Sequence, residues 1–158
     1  RFLFAHPAHL IAPGLGSGLL RPAPGTWGTL LAWALFDVAA LWWQPGPAVG
    51  AAFLVATLLG GTWAAARTGR ALGEVDSSAI VIDEIVAFWI VLAMLPQGPQ
   101  AWRLQVAGFV LFRIFDIAKP PPIAGIDRRW RSARGVMADD LVAAFYTLLV
   151  IAVGSRLA

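Results

Sequence analysis

Asp83 and Glu84 stand side by side at the head of an apolar run, seven residues after Asp76. Asp116 closes another such run, three residues after Arg113, and Asp139 and Asp140 open a further one. The chain has 158 residues, nine acids, two histidines (His6 and His9) and no cysteine. A thiolate nucleophile, cysteine-ligated zinc and a disulfide scaffold are thereby excluded, and a His-rich metal site is hard to build. Clustered carboxylates form an all-oxygen site that suits a hard cation, Mg²⁺, Ca²⁺ or Mn²⁺. With Arg21, Arg113 and Lys119 flanking it, such a cluster suits phosphoryl chemistry. The metal would activate water and neutralise phosphate oxygens, and the basic groups would hold the non-reacting oxygens.

Each acid also has a plainer reading. Asp139 or Asp140 could cap a helix, and Arg113 with Asp116 could be only a local ion pair. Asp83 and Glu84 point about 100° apart on a helix, so one can bind metal while the other orients a second partner. Asp76, two turns before Asp83, shares its face if that helix begins early. Asp37, alone in mid-segment, is read as a polar contact inside the fold.

The elements that must position these groups are apolar. The chain is 59% hydrophobic and 13% charged, with mean hydropathy +0.73, more apolar surface than a domain this small can bury. Five apolar segments stand out, residues 26–43, 48–66, 79–95, 101–118 and 140–154, several at the short end of the ~17–25 residues that span a bilayer. The expected fold is all-α: a single domain, residues 1–158, forming a polytopic membrane bundle of about five spanning or partly embedded helices with a cytoplasmic N-terminus. If all five cross, Arg1, Arg21, Arg67, Arg70, Lys119, Arg128, Arg129, Arg131 and Arg134 fall on the cytoplasmic side and only Arg103 and Arg156 on the other, as the positive-inside rule requires. The same topology carries Asp83–Glu84, Asp116 and Asp139–Asp140 to that one face, although charge and hydropathy alone drew it. Trp42, Trp43, Trp102 and Trp130 fall near segment ends, as an aromatic belt would place them. The basic residues are scattered among loops, with no basic tract for nucleic acid. No signal peptide is read in residues 1–20, which Pro7, Pro13 and several glycines interrupt. Nothing in the pattern assigns an oligomeric state.

The Gly/Pro-rich stretch 14–29 could present backbone N–H groups to a phosphate at a helix start; a re-entrant or interfacial loop is the alternative. Within it, residues 18–28, with Pro24-Gly25-Thr26, resemble the N-terminal motif of the phosphatidylglycerophosphatase A family. Residues 80–87, around Asp83-Glu84, resemble its acidic central motif, residues 112–120 its Arg-Phe-Phe-Asp-x-x-Lys-Pro motif, and residues 135–143 its Asp-Asp motif. Two departures stand: Asp76-Ser77 where the family often has Asp-Pro, and Arg113-Ile114-Phe115-Asp116 in the third motif.

The resemblance implies an all-α, bacterial inner-membrane enzyme facing the cytoplasm. It would remove the terminal phosphate of phosphatidylglycerophosphate with Mg²⁺, giving phosphatidylglycerol. By the same carry-over Asp83, Glu84, Asp116, Asp139 and Asp140 are candidate metal or catalytic groups, and Arg21, Thr26, Arg113 and Lys119 candidate phosphate or structural partners. The expected mechanism is attack by a metal-activated water, with Glu84 or Asp83 as the base; an aspartyl-phosphate route stays open. A rival class, an ion-coupled transporter, would use the same acids as an ion path and predicts acids through the bilayer depth.

Overall fold

A computed structural model of the chain describes residues 2–74, 76–98, 101–130 and 132–157, the side chains of 126–128 and 157 excepted. Arg1 and Arg131, placed above among the cytoplasmic cations, lie outside the described residues, as does the Arg128 side chain. All regular structure among the described residues is helical, as expected. Two short helices, α1 (Pro7–Ile11) and α6 (Ile123–Arg129), accompany five longer ones: α2 (Pro24–Ala40), α3 (Pro47–Leu72), α4 (Ile82–Met94), α5 (Ala101–Ala118) and α7 (Ala133–Leu157).

Local chemistry sets their ends. Pro24 and Pro47 open α2 and α3, where the missing N–H costs nothing and φ is already helical. Gly73 closes α3 with φ 75°, a left-handed cap that a side chain would strain. Leu95 turns extended ahead of Pro96 and ends α4. Ser132 caps α7: its hydroxyl accepts from the Gly135 N–H at 3.3 Å.

Three expectations need correction. α3 continues to Leu72 rather than residue 66, because Arg67 and Arg70 lower hydropathy without opposing helix formation. α7 begins at Ala133, not residue 140. Asp139 and Asp140 therefore lie in its second turn, and neither caps it. α4 begins at Ile82, so Asp76 sits on the preceding loop and shares no helical face with Asp83.

α4 is the hub, packed against α2, α3, α5 and α7. Being apolar all round, it can be enclosed: Ile85, Val86, Ala87, Phe88, Val91 and Leu92 are all buried. The Phe88 ring packs on Phe112 of α5 at 5.6 Å and Phe109 at 6.0 Å, and Trp33 of α2 meets Phe109 at 5.7 Å. Trp89 donates its indole N–H to the Ala32 carbonyl at 2.8 Å, which satisfies a polar group inside this apolar contact. Asp37 accepts from Gln105 at 3.0 Å while Gln105 accepts from Trp33 at 3.0 Å, the polar interhelical contact expected of it.

At 13 residues, α4 is about 20 Å long, well short of the ~30 Å hydrocarbon core. Only α3 and the part of α7 from Ala133 to Arg156 are, among the described residues, long and apolar enough to cross a membrane. Their apolar windows are 17% and 33% buried, whereas a soluble core helix would be mostly buried. Phe53, Leu59 and Trp63 on α3 and Phe145, Leu149 and Val153 on α7 face outward, an apolar surface far beyond scattered exposure. Trp42, Trp43, Trp102 and Trp130 are also exposed.

Candidate active site

The start of α4 is where the chain gathers its acids. The Ala12 carbonyl accepts from both the Val81 and Ile82 N–H groups, at 2.9 and 3.1 Å, which pins the N-terminal segment to the first turn of α4. A 3₁₀ turn (Gly14–Leu19) then leads toward α2. Close approach explains the glycines of this stretch. A methyl group on Gly28 would press within 2.7 Å of Val81 Cβ, and one on Gly18 would strike the Ala79 carbonyl.

Asp83 and Glu84 stand in the first turn of α4, where the helix dipole favours negative charge. Asp140 reaches them from α7, and one carboxylate oxygen from each of the three lies within 4.8 Å of the others. Asp83 and Asp140 are 5% and 4% exposed. Asp83 Oδ1 and Glu84 Oε2 are buried without a hydrogen-bond partner. Carboxylates so close and so dry call for a counter-charge or a retained proton.

Three carboxylate oxygens within 4.8 Å of one another are close enough to be drawn onto one small cation. The orphaned Asp83 and Glu84 oxygens and the all-carboxylate donor set fit a hard divalent cation.

Two cation–carboxylate pairs frame the trio. The Arg113 Nη1 donates to Asp116 Oδ2, the i,i+3 pair expected on α5, and lies 3.8 Å from Glu84 Oε1, tying α5 to α4. Lys119, just past the end of α5, donates to Asp139 Oδ2 at 2.8 Å, and the Asp140 N–H donates to Asp139 Oδ1 at 3.1 Å. A cavity of about 140 Å³ opens here. Asp83, Glu84, Asp116, Asp139, Asp140 and Lys119 all line it, so the five acids singled out from the sequence do share one site.

The remaining candidates sit differently. Arg113 is reached through its carboxylate partners. Thr26 is half-buried in the first turn of α2, and Arg21 is exposed; neither lines the cavity. The wall instead includes Asp76, Ser77, Ser78 and Gly25. Asp76 was visible in the sequence without a role, and its loop position, not a shared helical face, brings it here. Nothing in the sequence marks the serines. Pro24-Gly25 reads as a helix start, but the need for glycine is tertiary. A methyl on Gly25 would overlap Glu84 Oε1 and stand 3.1 Å from both terminal nitrogens of Arg113. Gly25→Ala is therefore expected to retain its helix content by circular dichroism and to lose about 100-fold in turnover, the scale set by displacing reacting groups by ~1 Å. Wild-type turnover in this variant would show that Glu84 and Arg113 need no such close packing.

A buried carboxylate cluster framed by Arg and Lys at one end of a largely apolar helical protein suits the handling of phosphate esters. The chain belongs to the phosphatidylglycerophosphatase A family, which it matches over residues 10–155. Phosphatidylglycerophosphatase A of Haemophilus influenzae is 40% identical over 92% of this chain and 87% of its own. The Escherichia coli protein of the same name is 38% identical over 90% and 80%. A Bacteroides thetaiotaomicron protein, provisionally named a phosphatidylinositol-3-phosphatase, is 38% identical over 91% of each chain. No solved structure matches the chain. The family resemblance read from four motifs thus holds over nearly the whole chain, and the protein is a phosphoric monoester hydrolase.

Proposed function

We propose that the protein removes the terminal phosphate of phosphatidylglycerophosphate, giving phosphatidylglycerol and inorganic phosphate, with Mg²⁺ held by Asp83, Glu84 and Asp140. The observation that carries this reading is the trio itself, with buried Asp83 and Glu84 oxygens lacking protein donors beside Arg113 and Lys119. Two relatives bear the name of this activity. The third is named for a different lipid, but its name too describes removal of a phosphomonoester from a phospholipid head group.

When bound, Mg²⁺ supplies positive charge and Lewis acidity at the phosphate oxygens. Glu84, through a carboxylate oxygen not given to the cation, takes a proton from the attacking water. The water oxygen bonds to phosphorus, the phosphorus–ester oxygen bond breaks, and the glycerol oxygen leaves with the proton that Glu84 took from the water. Lys119, on the cavity wall, holds a non-reacting phosphate oxygen. Arg113 keeps Glu84 and Asp116 in place, and Asp139 orients Lys119.

The bundle lies in the bacterial inner membrane as a multi-pass protein, N-terminus and acidic site toward the cytoplasm. The outward apolar faces of α3 and α7 support this, as do Arg67, Arg70, Lys119, Arg129 and Arg134 near the acid-bearing end. A transporter's ion path has little support: Asp37, the acid set deep in a segment, is engaged by Gln105.

Phosphate release from phosphatidylglycerophosphate, phosphatidic acid, lysophosphatidic acid and phosphatidylinositol 3-phosphate, each titrated with Mg²⁺, tests the reading. Phosphatidylglycerophosphate is expected to turn over fastest; faster release from any other lipid would overturn the substrate assignment. Chelation with EDTA is expected to lower release by more than about 100-fold, with recovery on adding Mg²⁺. Full activity in EDTA would remove the metal from the proposal.

A further inference from the structure

A second and larger cavity, about 850 Å³, lies between α3 and α7, within the ~300–1,000 Å³ range of ligand sites. Its walls are apolar: Leu58, Leu59 and Trp63 from α3, Met137 and Leu141 from α7. From Leu58 to Arg70 the α3 side runs about 18 Å at 1.5 Å per residue, a long slot rather than a round pocket. One end is different. There Arg70, near the end of α3, and Ser132 and Arg134, at the start of α7, line the groove. Both arginines are exposed, and neither has an acidic partner among the described residues.

The cationic end of the groove and the acidic site lie at the same end of the bundle. α7 separates the two: Arg134, Met137, Ala138 and Leu141 line the groove, whereas Val136, Asp139 and Asp140, on the opposite side of the helix at about 100° per residue, line the acidic cavity. The groove's two helices are also the two apolar enough to lie among lipid tails. A long apolar slot with two arginines at one end complements one kind of molecule, with hydrocarbon at one end and a phosphate at the other.

We propose that this groove seats an acyl chain of an anionic phospholipid, with Arg70 and Arg134 binding its phosphodiester. α7 stands between this seat and the acidic cavity, so the lipid held here is recognised by its tail and diester and not by a reacting phosphate.

The test needs no turnover, so it stands or fails separately from the phosphatase assay. Phosphatidylglycerol carrying a photoreactive group in its acyl chain is incorporated with the full-length protein into phosphatidylcholine vesicles, and the labelled residues are mapped by mass spectrometry. Labelling is expected to concentrate on the groove faces of α3 and α7. It should fall at least about five-fold in an Arg70→Gln/Arg134→Gln variant, given the ~1 kcal/mol that a cation near the membrane surface contributes toward an anionic lipid. Ala66→Phe fills the groove from a half-buried wall position without touching either arginine, and should lower labelling as well. The proposal is overturned by labelling spread evenly over the outward faces of α2 and α5, by wild-type labelling in the double-arginine variant, or by cross-links joining α3 and α7 of two copies.

Discussion

Asp83→Asn is expected to reduce phosphate release by about 10²–10⁴-fold at saturating Mg²⁺, the range for losing a group that acts directly on the reacting atoms. The substitution keeps size and shape. It replaces one oxygen of a buried carboxylate, whose Oδ1 has no protein donor, with an amide nitrogen unsuited to a hard cation. Stability should respond in the opposite sense. Asp83, Glu84 and Asp140 crowd within 4.8 Å, so in EDTA, without a metal to neutralise them, removing one charge relieves repulsion. Thermal unfolding in EDTA should therefore occur at the same or a higher temperature than in the wild type, while the stabilisation given by Mg²⁺ shrinks. A variant that loses activity because it misfolds would show the reverse pattern. Wild-type activity in Asp83→Asn would eliminate this site as the place of chemistry.

Arg113→Gln should be costly in both respects. The guanidinium is 12% exposed, donates to Asp116 and lies 3.8 Å from Glu84. Its removal leaves two nearly dry carboxylates without their cation, and breaking a buried pair from one side typically costs about 3–5 kcal/mol. That is a large share of the ~5–15 kcal/mol that holds a domain folded. Because Arg113 links α5 to α4, Glu84 should also lose its position, with turnover falling about 100-fold or more. Arg113→Lys keeps the charge but not the planar fork, so it should recover part of the stability and little of the activity. Denaturant unfolding in micelles and phosphate release, read together, check this. A Gln variant as stable and active as the wild type would show that the Arg113–Asp116–Glu84 contacts hold nothing.

Helix content and the acids' identity were legible in the sequence. Hydropathy breaks at prolines located α5 at residues 101–118 to the residue, and the Arg113–Asp116 pair followed from their spacing on one helix. Both are local properties of a helical chain, in which neighbours three or four apart must meet. Other boundaries moved because hydropathy reports solvent preference, not hydrogen bonding. Arg67 and Arg70 lie inside α3 although their charge ended the apolar reading, and the start of α7 was decided by the Ser132 hydroxyl, seven or eight residues ahead of the aspartates taken to open it.

The charge asymmetry of the chain and its five apolar runs already implied that Asp83, Glu84, Asp116, Asp139 and Asp140 share one end. Only the packing of α4 among its neighbours decided that Asp140 joins Asp83 and Glu84 at ligand spacing, that Asp116 and Asp139 engage Arg113 and Lys119, and that Asp76 lines the cavity while Arg21 and Thr26 do not. It likewise decided that Gly25 must lack a side chain and that Arg70 and Arg134 line one groove. The reason is geometric. Composition and period determine which residues are helical and which end of a helix they occupy, whereas the rotation of each helix about its axis, which sets the face it turns to its neighbours, depends on how side chains far apart in sequence fill the space between them.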